Sequence, residues 1–125
     1  MPVDATQPYD DQNIFAKILR DEIPSKRVYE DEYALAFHDI SAQAPTHILV
    51  IPKGPYVSWD DFSAKAPDAD IAGFIRAVGH IAREAGAVES GYRLIANTGP
   101  DSMQQVPHFH VHILAGRPMG HLLTA

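Results

Sequence analysis

The chain has 125 residues, 46% of them hydrophobic and 21% charged, with a formal net charge of -6. That length closes one hydrophobic core, and the composition argues against intrinsic disorder. The acidic balance argues against a surface for duplex nucleic acid, which needs a basic stripe, and the lack of cysteine excludes a disulfide framework, a zinc knuckle and a thiol nucleophile.

Met1 to Asn13 is polar and lacks the apolar centre of a signal peptide, and no apolar run is long enough to span a bilayer. A cytoplasmic location without membrane or nucleic-acid partners is the default expectation. Asn13 then reads as the N-cap of a short helix, Ile14 to Arg20, with Ile14, Phe15, Ile18 and Leu19 at helical spacing; Pro24 closes the segment. Arg27 to Glu30 and Tyr33 to His38 read as two strands, paired antiparallel across a turn at Asp31-Glu32. After Pro45 the run His47 to Ile51 is a strand, and Pro52-Lys53-Gly54-Pro55 is its exit loop. Tyr56 to Phe62 shows no dominant period.

The longest predicted helix runs from Pro67 to Ala85. Ile71, Phe74, Ile75, Val78, Ile81, Ala82 and Ala85 form its apolar stripe, Asp68 and Asp70 suit its positive end, and Gly86 stops it. The opposite face, with Gly73, Ala77, His80 and Glu84, reads either as solvated or as a place where small Gly73 and Ala77 admit another helix. Two further strands, Tyr92 to Asn97 and His108 to Ala115, flank a Gly99-Pro100-Asp101-Ser102 loop. Five strands and two main helices make an α+β layout.

The last strand carries the chemistry. His108, His110 and His112 alternate with Phe109, Val111 and Ile113, so a strand here buries the apolar three and aligns three imidazoles on its other face. Isolated His38, His80 and His121 are expected to be exposed or satisfied in the core, but three adjacent imidazoles repel when protonated and gain little as packing. Such a row can bind zinc through three nitrogens with an open water position, or it can attack phosphorus through one imidazole with no metal. Asn97, Thr98 and Gly99 upstream, and Gln104 and Gln105 beside the row, offer the polar donors that the second chemistry needs.

The run Gln104-Gln-Val-Pro-His-Phe-His-Val-His-Ile-Leu114 resembles the signature of the histidine triad (HIT) superfamily. Ile14 to Pro24, Ala36 to Ser41, Ala44 to Lys53 and Gly91 to Asn97 are similar, in order and spacing, to its Hint branch. The resemblance extends from about Asn13 to Met119. It implies a HIT-like α+β fold over residues 13–125, a five-stranded antiparallel sheet joined to its copy in a homodimer, with residues 1–12 as a flexible N-terminal segment.

The resemblance further implies a metal-independent, cofactor-free hydrolase of purine nucleoside 5'-phosphoramidates and related nucleotidyl conjugates. Binding or scaffolding with incidental turnover, and hydrolysis of dinucleoside polyphosphates, are the alternatives. His110 would attack the α-phosphorus, His112 would contact the phosphate and pass a proton to the leaving group, and His108 and His47 would support them. Asp39 would accept hydrogen bonds from the ribose. Phe15, Ile18, Ile23, Phe37, His38, Ile40 and Leu49 would sandwich the base, with Asn97 and Gln105 beside the phosphate. Two departures are visible: Met103-Gln104-Gln105 stands where Hint proteins show Gly-Gln-Ser, and the tail Gly120 to Ala125 lacks the tryptophan of well-known relatives.

Overall fold

The computed structural model describes residues 2–123. Its elements follow in the order α1 (Ile14–Leu19), β1 (Arg27–Glu30), β2 (Ala34–His38), β3 (Thr46–Pro52), α2 (Trp59–Lys65), α3 (Asp68–Glu84), β4 (Tyr92–Ile95) and β5 (Val111–Ala115). All strands are antiparallel, in the sheet order β1-β2-β3-β5-β4. β3 lies at the centre, where Leu49 faces Phe37 on one side and His112 on the other.

Both faces of the central strands are covered, which is why Ala34 to Phe37 and Ile48 to Ile51 read as unbroken apolar runs. On one face Ala36, Ile48, Val50, Phe109, Val111 and Ile113 pack against Phe62 of α2 and Phe74, Val78 and Ile81 of α3. On the other, Leu35, Phe37, Leu49 and Ile51 pack against Phe15 and Ile18 of α1. Each of the larger side chains contributes roughly 1.5–3 kcal/mol by leaving water. The alternation of Phe109, Val111 and Ile113 with the histidines thus places the imidazoles on the α1 face.

Local chemistry sets the helix ends. Asn13 Oδ1 accepts from Ala16 N at 2.9 Å, and the chain leaves α1 through Asp21 at φ 61°, with Asp21 N bonded to Ile18 O and Glu22 N to Lys17 O. The segment from Tyr56 to Phe62, which shows no dominant period, contains the start of α2. Ser58 Oγ accepts from Asp60 N, while the Asp61 carboxylate accepts from Val57 N and Ser58 N. Among the described residues there are therefore three helices where two main ones are expected.

Three expectations need correction. In α3, Ile75 is 50% exposed and Ala85 is also exposed, while Ala77 is buried; the apolar stripe is rotated from the expected one. Gly73 does not admit another helix: a Cβ there would lie 2.2 Å from the ring of Tyr33, so its smallness seats a tyrosine of the same chain. His80 stands beside Tyr29, with ring centroids 5.1 Å apart, and Ala77 is buried, so the face is packed along much of its length and exposed at Glu84. Lastly, β4 stops at Ile95 and β5 starts only at Val111. Continued, the register would set His110 opposite Ile51 and then Phe109 opposite Pro52, which has no N–H to give to the Phe109 carbonyl; Phe109 N donates to Tyr56 O at 2.7 Å.

Residues 2–12, expected to be flexible, touch the domain through Val3 N, 2.7 Å from Gln104 O, and through the Tyr9 ring against His108. Among the described residues no helix is long and apolar enough to cross a membrane.

Candidate active site

Where the β3–β5 ladder ends, a side chain replaces the missing backbone partner. His108 Nε2 lies 2.9 Å from Pro52 O, and because a carbonyl only accepts, Nε2 carries the proton. The next imidazole is fixed in the same way: His110 Nδ1 lies 2.7 Å from His108 O and must donate to it. Nε2 of His110 is therefore a bare lone pair, and Phe15, edge-on at 5.0 Å between centroids, braces the ring.

His112 is set by a relay. Gln43 N–H donates to His47 Nδ1 at 3.1 Å, so a neutral His47 holds its proton on Nε2, which lies 2.9 Å from His112 Nδ1. His112 accepts there and carries its own proton on Nε2. Asp39 Oδ2 stands 3.4 Å from His47 Nε2, and Asp39 Oδ1 accepts from Ser41 N at 2.7 Å. The backbone partners thus leave one free ring nitrogen on each central imidazole, an acceptor on His110 and a donor on His112.

Burial keeps the whole set neutral. Desolvation lowers His108 from 6.5 to about 4, against the hydrogen bond to Pro52 O. His112 falls to about 4 through desolvation and the nearby His110 and His47. Desolvation also lowers His110 and His47, the latter opposed by Asp39.

The free nitrogens face a cleft of about 500 Å³ between α1, the end of β2 and the loop before β5, a size suited to a small molecule. The residues expected around a base, Phe15, Ile18, Ile23, Phe37, His38, Ile40 and Leu49, all line it, as do Asp39, Asn97, Gln105, His110 and His112. His108 and His47 stand behind, holding the residues that do. Ile40 lies at the rim and is 98% exposed, so it is no part of the packed core. Sequence reasoning missed Ser25, Lys26, Ser41, Gln43 and Ser102 in the lining; polar loop residues carry no period, and of these only Ser41 sits inside a stretch that carries the resemblance.

The comparisons with known proteins agree with this geometry. The HIT domain matches residues 20–119. An uncharacterized HIT-like protein of Azospirillum brasilense is 63% identical over 116 residues, 93% of this chain and 95% of its own. The purine nucleoside phosphoramidase of Escherichia coli (strain K12) is 47% identical over 114 residues, 91% of this chain and 95% of its own. The chain belongs to the HIT family. A histidine triad protein from Clostridium difficile, 42% identical, superposes with a TM-score of 0.78 over 88% of this HIT chain and 95% of that one.

Two features mark this HIT protein. Met103, in the place where the Hint resemblance expects glycine, holds φ 62° and is 67% exposed at the cleft. A left-handed conformation costs a side chain about 1–2 kcal/mol, which glycine avoids. Arg93 of β4 grips the tail, donating to the carbonyls of Gly120 at 2.9 Å and His121 at 3.2 Å; the last two residues of the tryptophan-less tail lie outside the described residues.

A three-histidine metal site is not what this triad forms, because both His108 nitrogens are engaged and His110 Nδ1 is bonded to a carbonyl. Among the described residues the group able to close on a cation is Asp39, His47 and His112, with one ligand atom each within 4.8 Å of the others. That group coincides with the proton relay.

Proposed function

We propose that this HIT protein hydrolyses purine nucleoside 5'-phosphoramidates and related nucleotidyl conjugates, without metal, through a nucleotidyl-His110 intermediate. The observation that carries the reading is the tautomer pattern: backbone partners leave a lone pair on His110 Nε2 and a proton on His112 Nε2 at one cleft. A nucleophile and a proton donor side by side are what displacement at phosphorus requires. The name of the Escherichia coli relative supports the substrate class.

His110 Nε2 attacks the α-phosphorus while the bond to the leaving nitrogen breaks. The negative substrate favours one added proton on the His47–His112 pair, and His112 gives its Nε2–H to the departing amine while its Nδ1 takes the proton of His47 Nε2. The neutral imidazole then takes a proton from the water that adds to phosphorus, which frees His110 and releases the nucleoside monophosphate. His47 and Asp39 balance the charge on His112, and the apolar cleft holds the base.

Rapid quench with a good-leaving-group adenosine 5'-phosphoramidate tests this directly. A nucleotidyl adduct, labile to acid and more stable to base, is expected on the peptide containing His110. His110→Ala should abolish turnover and still bind nucleotide, whereas changing His112 should only slow the reaction. An adduct mapped to His108 or His112, or near-normal turnover in His110→Ala, would sink the assignment. Activity should also survive prolonged chelation; stoichiometric zinc whose removal abolishes turnover would transfer the chemistry to the Asp39-His47-His112 group.

A further inference from the structure

His108 is not one of the residues that line the cleft, yet both its ring nitrogens are held. Nε2–H is given to Pro52 O, so Nδ1 can only accept. The group facing it is the Tyr9 hydroxyl, 2.7 Å away, which must therefore be the donor. The tyrosine ring meets the imidazole edge-on, with centroids 5.6 Å apart and planes at 68°. Burial raises the Tyr9 pKa, so the phenol keeps its proton.

Tyr9 lies outside residues 20–119, which the family domain matches, and in the segment expected to be flexible. That segment is nevertheless tied at both ends. Val3 N bonds to Gln104 O, and buried Asn13, the cap of α1, donates Nδ2 to Asp10 O at 2.8 Å. The tyrosine is presented from a strap, and the strap crosses behind the histidines.

We propose that Tyr9 is a positioning residue for the reaction. Its O–H holds His108 in the Nε2–H tautomer, and the locked His108 keeps its own backbone carbonyl where it orients His110. The inference rests on His110 being the nucleophile. The triad thereby gains a fourth, N-terminal member that acts through the first histidine.

The test uses the full chain with Tyr9→Phe and Tyr9→Ala. If the hydrogen bond matters, both variants should form the His110 adduct about tenfold more slowly, the order expected for a small misalignment, with KM within about twofold of the unaltered protein. A packing role would spare Tyr9→Phe and slow Tyr9→Ala alone, which overturns the proposal. Nitrogen NMR of the imidazoles gives a readout independent of turnover: the His108 Nδ1 resonance should move toward that of an unbonded lone pair in Tyr9→Phe, and an unchanged signal also overturns it. If the unaltered protein forms no adduct on His110, the parent reading fails and the proposal falls with it. If it does form one and Tyr9→Phe matches its rate, the proposal fails alone.

Discussion

Asp39 divides its carboxylate: one oxygen closes a turn on Ser41 N, and the other stands 3.4 Å from His47 Nε2 at the edge of the cleft. If that second oxygen also meets the ribose, Asp39→Asn should weaken ribonucleotide binding by about 1–3 kcal/mol, the worth of charge-assisted bonds. Equal affinity of the unaltered protein for a ribonucleotide and its 2',3'-dideoxy form, measured by calorimetry, would show the ribose assignment to be wrong. The imidazoles make a second prediction. His108 and His112 lie near 4 in the folded chain against 6.5 ordinarily, so between those values the unfolded chain binds protons that the folded one refuses. Stability should be complete above pH 6.5 and fall as the pH approaches 4, giving a lower urea midpoint at pH 5 than at pH 7.5; equal midpoints would contradict it. Because burial also lowers His110, the acid limb of kcat/KM should lie below pH 6.5. The residue types at the cleft were legible from the triad and the resemblance, but tautomers were not. They depend on Pro52 O and Gln43 N–H, backbone groups brought in by folding.

At the level of elements, most strands and both main helices follow from apolar spacing and caps. α2 does not, because its seven residues bury only Phe62 and so show no period. Its legible signal is Ser58 three residues ahead of Asp61, a capping pair with aspartate in place of the usual glutamate. Ser58→Ala should cost about 1 kcal/mol in chemical denaturation, and no change would show that the cap is dispensable. The early end of the β3–β5 ladder was equally hidden, since it results from a proline meeting the register of a distant strand. Met103 gives the opposite kind of prediction. Met103→Gly should be neutral to stabilising by up to about 1 kcal/mol, relief of the left-handed strain being offset by the freedom glycine gains when unfolded. A clear loss of stability would mean that the side chain packs in a way its exposure does not suggest.

For the whole molecule, the sheet edge carries the prediction. Among the described residues β4 has no neighbour beyond it, and Tyr92 and Leu94 are 39% and 49% exposed there. Such an edge invites pairing, and a homodimer whose sheets join into one is the arrangement that the Hint resemblance implies. Light scattering at micromolar concentration should give twice the chain mass; a clean monomer would remove the dimer. The small Gly73 gives a second copy no seat, because the Tyr33 ring lies over it.

The two walls of the cleft differ in how firmly they are anchored. His47 sits on β3, which is bonded on both sides and covered on both faces, whereas the facing apolar wall is the six-residue α1. Amide exchange should therefore be slowest on β3 and much faster on α1, where opening needs few contacts to break. Ligand entry then needs no distortion of the imidazole array: the helix yields, the sheet does not, and occupancy should appear as protection gained in α1 against an unchanged β3.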